Sequence, residues 1–227
     1  GVFVGTRFFR AGFSLSRAQA QPWSGGIVLA LAAAALLAAR FFLMPDVEAG
    51  TLGWLWASVK GPGAARAPLF LSLAGGLLIG VLAQRSRFCT MGALRDLFLF
   101  RQMHLFSGVL AFLLVAFAAN LLLGQFKPGF EGQPVAHTAG LWNFLGMAVS
   151  GLAFALAGGC PGRQLILAGE GDGDSAIFVL GMLVGAGFAH NFGWASSPAG
   201  LGPNGMAATF AALGFCLLVG FMNLKKA

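Results

Sequence analysis

Long apolar stretches separated by short polar breaks dominate this chain, and their lengths predict helices that cross a membrane. A spanning helix needs about 20 mainly apolar residues. Residues 26–44, 104–123, 175–191 and 206–223 each supply an almost unbroken run. Two further stretches are cut short. Residues 68–83 are apolar, Gln84-Arg85-Ser86-Arg87 interrupts them, and 88–100 resumes with Arg95 and Asp96 inside. Residues 141–157 are apolar, Gly158-Gly159-Cys160-Pro161-Gly162-Arg163 interrupts them, and a short segment continues to Ala168. Polar or irregular backbone at membrane depth survives only where protein buries it or it lines a cavity. Paired interruptions at matching places in two repeats point to a transport site.

A repeat is present in the pattern. Cys89 precedes Phe117-Ala118-Ala119-Asn120, and Cys160 precedes Phe188-Ala189-His190-Asn191. The offsets 160 − 89, 188 − 117 and 191 − 120 all give 71, and the same shift lays Gly75 and Gly80 on Gly146 and Gly151. A weaker third copy starts the chain. Shifting residues 1–21 by 75 pairs Gly1 with Gly76, Gly5 with Gly80, Arg10 with Arg85 and Phe13 with Phe88, and sets Ser14 in the place of Cys89. The fold class expected is an all-α integral membrane protein. It is a polytopic helical bundle with pseudo-symmetric internal repeats and short, interrupted or re-entrant helices. One transmembrane domain covers 1–227, with repeat-like units at roughly 1–45, 69–123 and 141–193. The chain starts at Gly1 within an apolar-basic motif, which reads as a missing N-terminal segment. Gly76-x-x-x-Gly80 and Gly181-x-x-x-Gly185 are expected to let helix backbones approach closely. The stretches 45–68, with a turn at Gly61-Pro62-Gly63, and 124–140 read as solvated connectors.

Composition agrees with the pattern. The chain is 58% hydrophobic and 9% charged, with mean hydropathy +0.82, against roughly 25% charged residues in soluble domains. The lipid bilayer is therefore its first partner, in a multi-pass arrangement. Its net charge of +7 comes from scattered arginines and lysines, which anionic headgroups and the positive-inside bias explain. No basic run exists, so nucleic acid is excluded as a partner. A small anion is the ligand such charge would suit. Cys89, Cys160 and Cys216 are an odd number without a disulfide framework and read as free thiols.

Chemistry concentrates at the two interruptions. Cys89 sits among Arg85, Arg87 and Arg95, and nearby cations or a helix N-terminus favour a reactive thiolate. The same groups attract an anion. Arginines cannot discharge in lipid and must pair, snorkel or face water, and Asp96 is a ready partner. Cys160 has glycines on both sides, Pro161 suited to open a short helix, and donors at Arg163 and Gln164. The acids of 169–174 lack the spacing of a calcium loop. They are expected to pair with arginines, with Asp174 or Ser175 capping the next helix. Cys216 lies in an unbroken apolar run and reads as a small core hydrophobe. Asn120 and Asn191 are expected to hydrogen-bond between helices or toward irregular backbone. His104, His137 and His190 are too scattered for a metal site. No nucleophilic triad, phosphate loop, haem motif or zinc pattern appears, so neither catalytic residues nor a metal or cofactor is expected.

Arg-Phe-Cys-Thr-Met-Gly-Ala-Leu-Arg-Asp (87–96), Gly-Gly-Cys-Pro-Gly-Arg-Gln-Leu (158–165) and Gly-Glu-Gly-Asp-Gly-Asp (169–174) resemble the YeeE/YedE family. That family holds thiosulfate importers and a branch linked to selenium metabolism, and the stretch 181–198 is most similar to the selenium branch. The resemblance implies an inner-membrane transporter in a bacterium, in which cysteine thiols hand a sulfur- or selenium-containing anion along a central path. Cys89 and Cys160 are the path thiols it implies, with Arg85, Arg87, Arg163 and Gln164 beside them. The importers' third path position falls here on Ser14 or on a cysteine of the missing N-terminal segment, and a hydroxyl donates a hydrogen bond but cannot exchange sulfur. The thiols could bond transiently to the anion or form a persulfide-like adduct. A cytoplasmic sulfur-carrier protein is a further partner compatible with this reading. The rival is a membrane thiol oxidoreductase or sulfur-transfer enzyme using Cys89 and Cys160.

Overall fold

The computed structural model describes residues 1–15, 24–42, 51–52, 55–56, 67–133 and 137–224. Its elements are α1 (Val2–Arg10), α2 (Ser24–Phe42), β1 (Thr51–Leu52), β2 (Leu55–Trp56), α3 (Leu69–Ser86), α4 (Thr90–Phe100), α5 (His104–Leu122), α6 (Gly140–Leu156), α7 (Pro161–Gly169), α8 (Gly173–Asn191) and α9 (Gly205–Met222). Among the described residues the regular structure is almost wholly helical; β1 and β2 form a minimal antiparallel pair. Most of the connector at 45–68, including the expected turn at Gly61-Pro62-Gly63, lies outside the described residues, as do 16–21 of the weak third copy.

Among the described residues, five stretches are long and apolar enough to cross a membrane: Leu69–Phe100, His104–Leu122, Gly140–Gly169, Gly173–Asn191 and Gly205–Met222. Large apolar side chains are exposed along them, among them Phe70, Leu77, Val115 and Leu122. Water would penalise such a surface at roughly 25 cal/mol per Å², whereas lipid does not. This is a multi-pass membrane protein.

The helices break where the sequence interrupts its apolar runs. α3 carries through Gln84, Arg85 and Ser86 and stops at Arg87, which takes a left-handed conformation (φ 52°). Cys89 is extended (φ −153°, ψ 110°) and starts α4. In the second interruption Gly158 holds the left-handed position (φ 80°), and Pro161 opens α7, its fixed φ and missing N–H suiting a first helical position. α3 and α6 start at Leu69 and Gly140, and α4 and α7 at Thr90 and Pro161; 140 − 69 and 161 − 90 both give 71. α8 is capped by Asp172, whose carboxylate accepts the Ser175 N–H at 3.2 Å and the Ser175 hydroxyl. The cap is therefore Asp172, not Asp174 or Ser175, because the helix begins at Gly173, two residues earlier than the apolar run suggests.

Contacts divide the chain into two units. The first comprises Gly1–Gln19, Phe88–Leu165 and Phe178–Ala227. In it α1 packs against α4, α6 and α9, α6 also against α4 and α9, and α4 against α5. Phe8, Phe13, Leu152, Leu156 and Cys216 form its core cluster. Burying side chains of the Leu and Phe class contributes about 1.5–3 kcal/mol each against water, though in lipid close packing carries more of the stability. α1 crosses α6 closely: a Cβ at Gly5 would collide with the Cβ of Ala155, and Gly151 faces the Val2 amide. The glycine pairs expected to do this, Gly76/Gly80 and Gly181/Gly185, would meet nothing within 4 Å among the described residues. Small residues permit close approach but do not choose the neighbour. The second unit comprises Ala20–Arg87 and Ile166–Ile177 and contains α2, the β pair and α3.

Candidate functional site

Two short helices start at the two cysteines, both of which lie in the first unit. An N-cap residue stands outside the helix while its carbonyl accepts the first helical hydrogen bond and its side chain accepts from the third amide. Cys89 meets this description: its carbonyl accepts the Ala93 N–H at 2.9 Å and its sulfur the Gly92 N–H at 3.2 Å. Cys160 does the same, with the Gln164 N–H on its carbonyl at 3.0 Å and the Arg163 N–H on its sulfur at 3.4 Å. The two sulfurs lie 3.6 Å apart, within reach of an S–H···S hydrogen bond. Both thiols are free; Cys89 is half-buried and Cys160 buried.

The surroundings are glycine-rich for a steric reason. A Cβ at Gly92 would sit 3.3 Å from the Cys89 sulfur. One at Gly159 would run into the side-chain amide of Gln164, which folds back over the glycine preceding Cys160. The Thr90 amide and hydroxyl also act on the Cys160 sulfur. Each helix N-terminus presents unsatisfied N–H groups and the positive end of a dipole. Cys89 and Cys160 therefore bring two such ends to one pair of sulfurs, an arrangement suited to soft anions.

The expected residues divide into groups. Cys89, Cys160, Arg163 and Gln164 come together. Arg163 contributes its main-chain amide to the sulfur, and its side chain is half-buried. Arg85 and Arg87 belong to the second unit, at the end of α3, with exposed side chains; Arg87 caps that helix. Ser14 is exposed; its amide donates to the Asn223 carbonyl at 3.3 Å and its hydroxyl to that of Leu15 at 3.2 Å, so its hydrogen bonds do not reach the thiols. Asp96 pairs with Arg95 at 2.9 Å. Asn191 spends its side-chain amide on the Gly187 carbonyl of its own helix, not on a neighbour. Cys216 is in the core cluster, as a small hydrophobe would be. Among the described residues no group of three or more His, Cys, Asp or Glu could hold a metal ion.

Thr90 and Gly92 were not singled out by the sequence. The signal was available, since a side chain that can accept a hydrogen bond three residues before a glycine at a helix start is a capping pattern. Cysteine is absent from the usual capping residues, which hides it. A separate cleft of about 250 Å³ lies between the stretches following α5 and α8, lined by Gln133, His137, Thr138 and Pro198 among others.

Residues 85–224 match the family described as Sulphur transport, covering both cysteines. Thiosulfate transporter TsuA of Spirochaeta thermophila is 32% identical over 103 residues, 45% of this chain and 31% of that protein. Thiosulfate transporter TsuA of Escherichia coli K12 is 30% identical over 100 residues, 42% of this chain and 27% of that protein. The matched region thus spans less than a third of the length of these curated relatives. No solved structure matches the chain.

Proposed function

This chain belongs to the Sulphur transport family, and on that premise we propose that it carries a small sulfur- or selenium-containing anion, thiosulfate-like in shape, across a bacterial inner membrane. Cys89 and Cys160 are the path thiols. The observation that carries this reading is the 3.6 Å meeting of two cysteines that each cap a helix N-terminus. α4 has 11 residues and α7 has 9, so at 1.5 Å per residue they are about 14–17 Å long. That is about half the hydrocarbon thickness of a bilayer, and broken helices whose N-termini point at an anion are a recurring transporter device. The thiols supply soft contacts for the chalcogen, while amides and Arg163 offset the anion's charge.

The common 71-residue offset of the helix starts supports a duplicated unit as the origin of the paired cysteines. The names of the two thiosulfate-transporting relatives support the substrate class. A cytoplasmic sulfur carrier would receive such a cargo. The sulfur contact also favours one rival, a membrane thiol oxidoreductase. Uptake of labelled thiosulfate, sulfite and selenite into cells expressing the protein decides between them. Transport predicts accumulation of at least one labelled anion without an added electron donor. Turnover by detergent-solubilised protein, with no accumulation in cells, would replace transport with enzymology.

A further inference from the structure

The same two sulfurs carry a second chemistry, one that would stop transport. We infer that Cys89 and Cys160 form a reversible oxidation site, closed by a two-electron oxidant such as a peroxide and reopened by a dithiol reductant. The inference rests on the transport reading for its consequence, but not for the disulfide itself. A disulfide needs its sulfurs about 2 Å apart, and here they already touch at 3.6 Å with no group between them. Cys89 is extended at the N-cap of α4, so a turn of its side chain toward its partner gives up the Gly92 N–H on the sulfur but leaves the Ala93 N–H on the carbonyl in place. Among the described residues a Cβ at Gly158 or Gly162 would meet nothing within 4 Å, so there is open space at these two positions of the Cys160 turn.

Burial sets the order of events. Cys89 is half-buried while Cys160 is 6% exposed, so Cys89 meets the oxidant first. As the proton it donates toward Cys160 is removed, the Cys89 sulfur attacks one peroxide oxygen, the O–O bond breaks, and Cys89 becomes a sulfenic acid as hydroxide leaves. The Cys160 thiolate, held by the Arg163 amide, then attacks the Cys89 sulfur. The S–S bond forms, the S–O bond breaks, and the second hydroxide leaves. Both hydroxides take up the two thiol protons, giving two waters and one disulfide. The path then has neither an S–H donor nor a thiolate for the anion. A dithiol attacks the disulfide, is itself oxidised to a cyclic disulfide, and returns both thiols.

The test uses vesicles containing the protein with Cys216→Ala, so that only the paired thiols report. After denaturation, a polymer-tagged maleimide should modify both thiols in untreated protein, neither after peroxide, and both again after dithiothreitol. The oxidised band should remain monomer-sized on a non-reducing gel. Uptake of labelled thiosulfate should fall to background with the tags and recover with them. Cys89→Ala in the same background should keep its one thiol reactive through the same treatment. Tags that persist after peroxide, a loss that dithiothreitol does not reverse, or a dimer-sized oxidised band would overturn the disulfide. Unchanged uptake with both tags reversibly lost would overturn the shut-off. Vesicles that never take up thiosulfate while the tags respond would instead count against the transport reading and leave the oxidation site standing.

Discussion

Cys89 and Cys160, 71 positions apart, meet sulfur to sulfur at 3.6 Å, and each caps the short helix that follows it. One thiol at a helix start is a common reactive arrangement. Two facing each other inside the membrane-spanning segments bring both sulfurs and both helix starts to one place, and the proposed anion path rests on that meeting.

If that site carries the substrate, Cys89→Ala and Cys160→Ala should each bring labelled thiosulfate uptake to background at unchanged membrane abundance. Near-normal uptake by either well-expressed variant would remove that thiol from the path.

Cys216→Ala should be nearly silent in uptake. The sulfur lies in the Phe8–Leu152–Leu156 cluster, and alanine leaves a small void costing about 1 kcal/mol. A large loss of transport at normal protein level would show that this core thiol has a function.

Arg163 separates amide from guanidinium. Arg163→Lys keeps the charge and the main-chain N–H on the Cys160 sulfur but loses the planar fork. Arg163→Gln loses the charge as well. A charge-assisted hydrogen bond contributes about 1.5–3 kcal/mol, or roughly ten- to a hundredfold in affinity. Thiosulfate affinity should therefore fall in the order Arg, Lys, Gln at constant abundance. Unchanged affinity in a stable Gln variant would rule out contact between the guanidinium and the anion.

Arg87 and Arg101 both hold left-handed conformations at helix ends (φ 52° and 55°), where a non-glycine residue costs about 1 kcal/mol. Arg101→Gly should therefore raise thermal stability in detergent and leave uptake intact. Arg87→Gly should gain similar stability, and a fall in its uptake would reveal an anion role for the lost side chain. No stability gain in either variant would contradict the capping assignment.

Gly159→Ala pushes a methyl group into the Gln164 amide beside Cys160. Uptake should fall strongly, and Gln164→Ala in the same chain should restore part of it by removing the obstacle. Failure of that second change to help would show that the glycine acts through its backbone and not through the amide above it.

Much of this was legible in the sequence because membrane helices obey simple rules. The apolar run at 104–123 became His104–Leu122, and the one at 206–223 became Gly205–Met222. The interruptions around Cys89 and Cys160 became helix breaks, since polar residues, glycine and proline stop a helix by local chemistry. What escaped was decided by packing. Gly5 rather than Gly76 supplies a close crossing, Asp172 rather than Asp174 caps α8, and Asn191 turns back on its own helix. The action of Thr90 on Cys160 depends on two segments meeting, which no local pattern encodes, whereas the Gly92 cap is local and was hidden only because cysteine is an unusual capping residue.

The most direct test of one shared anion site is substrate protection of its thiols. Membranes containing the protein are exposed briefly to a small methanethiosulfonate reagent with thiosulfate or sulfate present. Modification at Cys89 and Cys160 is then read by mass spectrometry. A common site predicts that thiosulfate slows labelling of both cysteines together, while sulfate, lacking the outer sulfur, protects neither as well. Equal labelling rates with and without thiosulfate, or protection of only one cysteine, would contradict it.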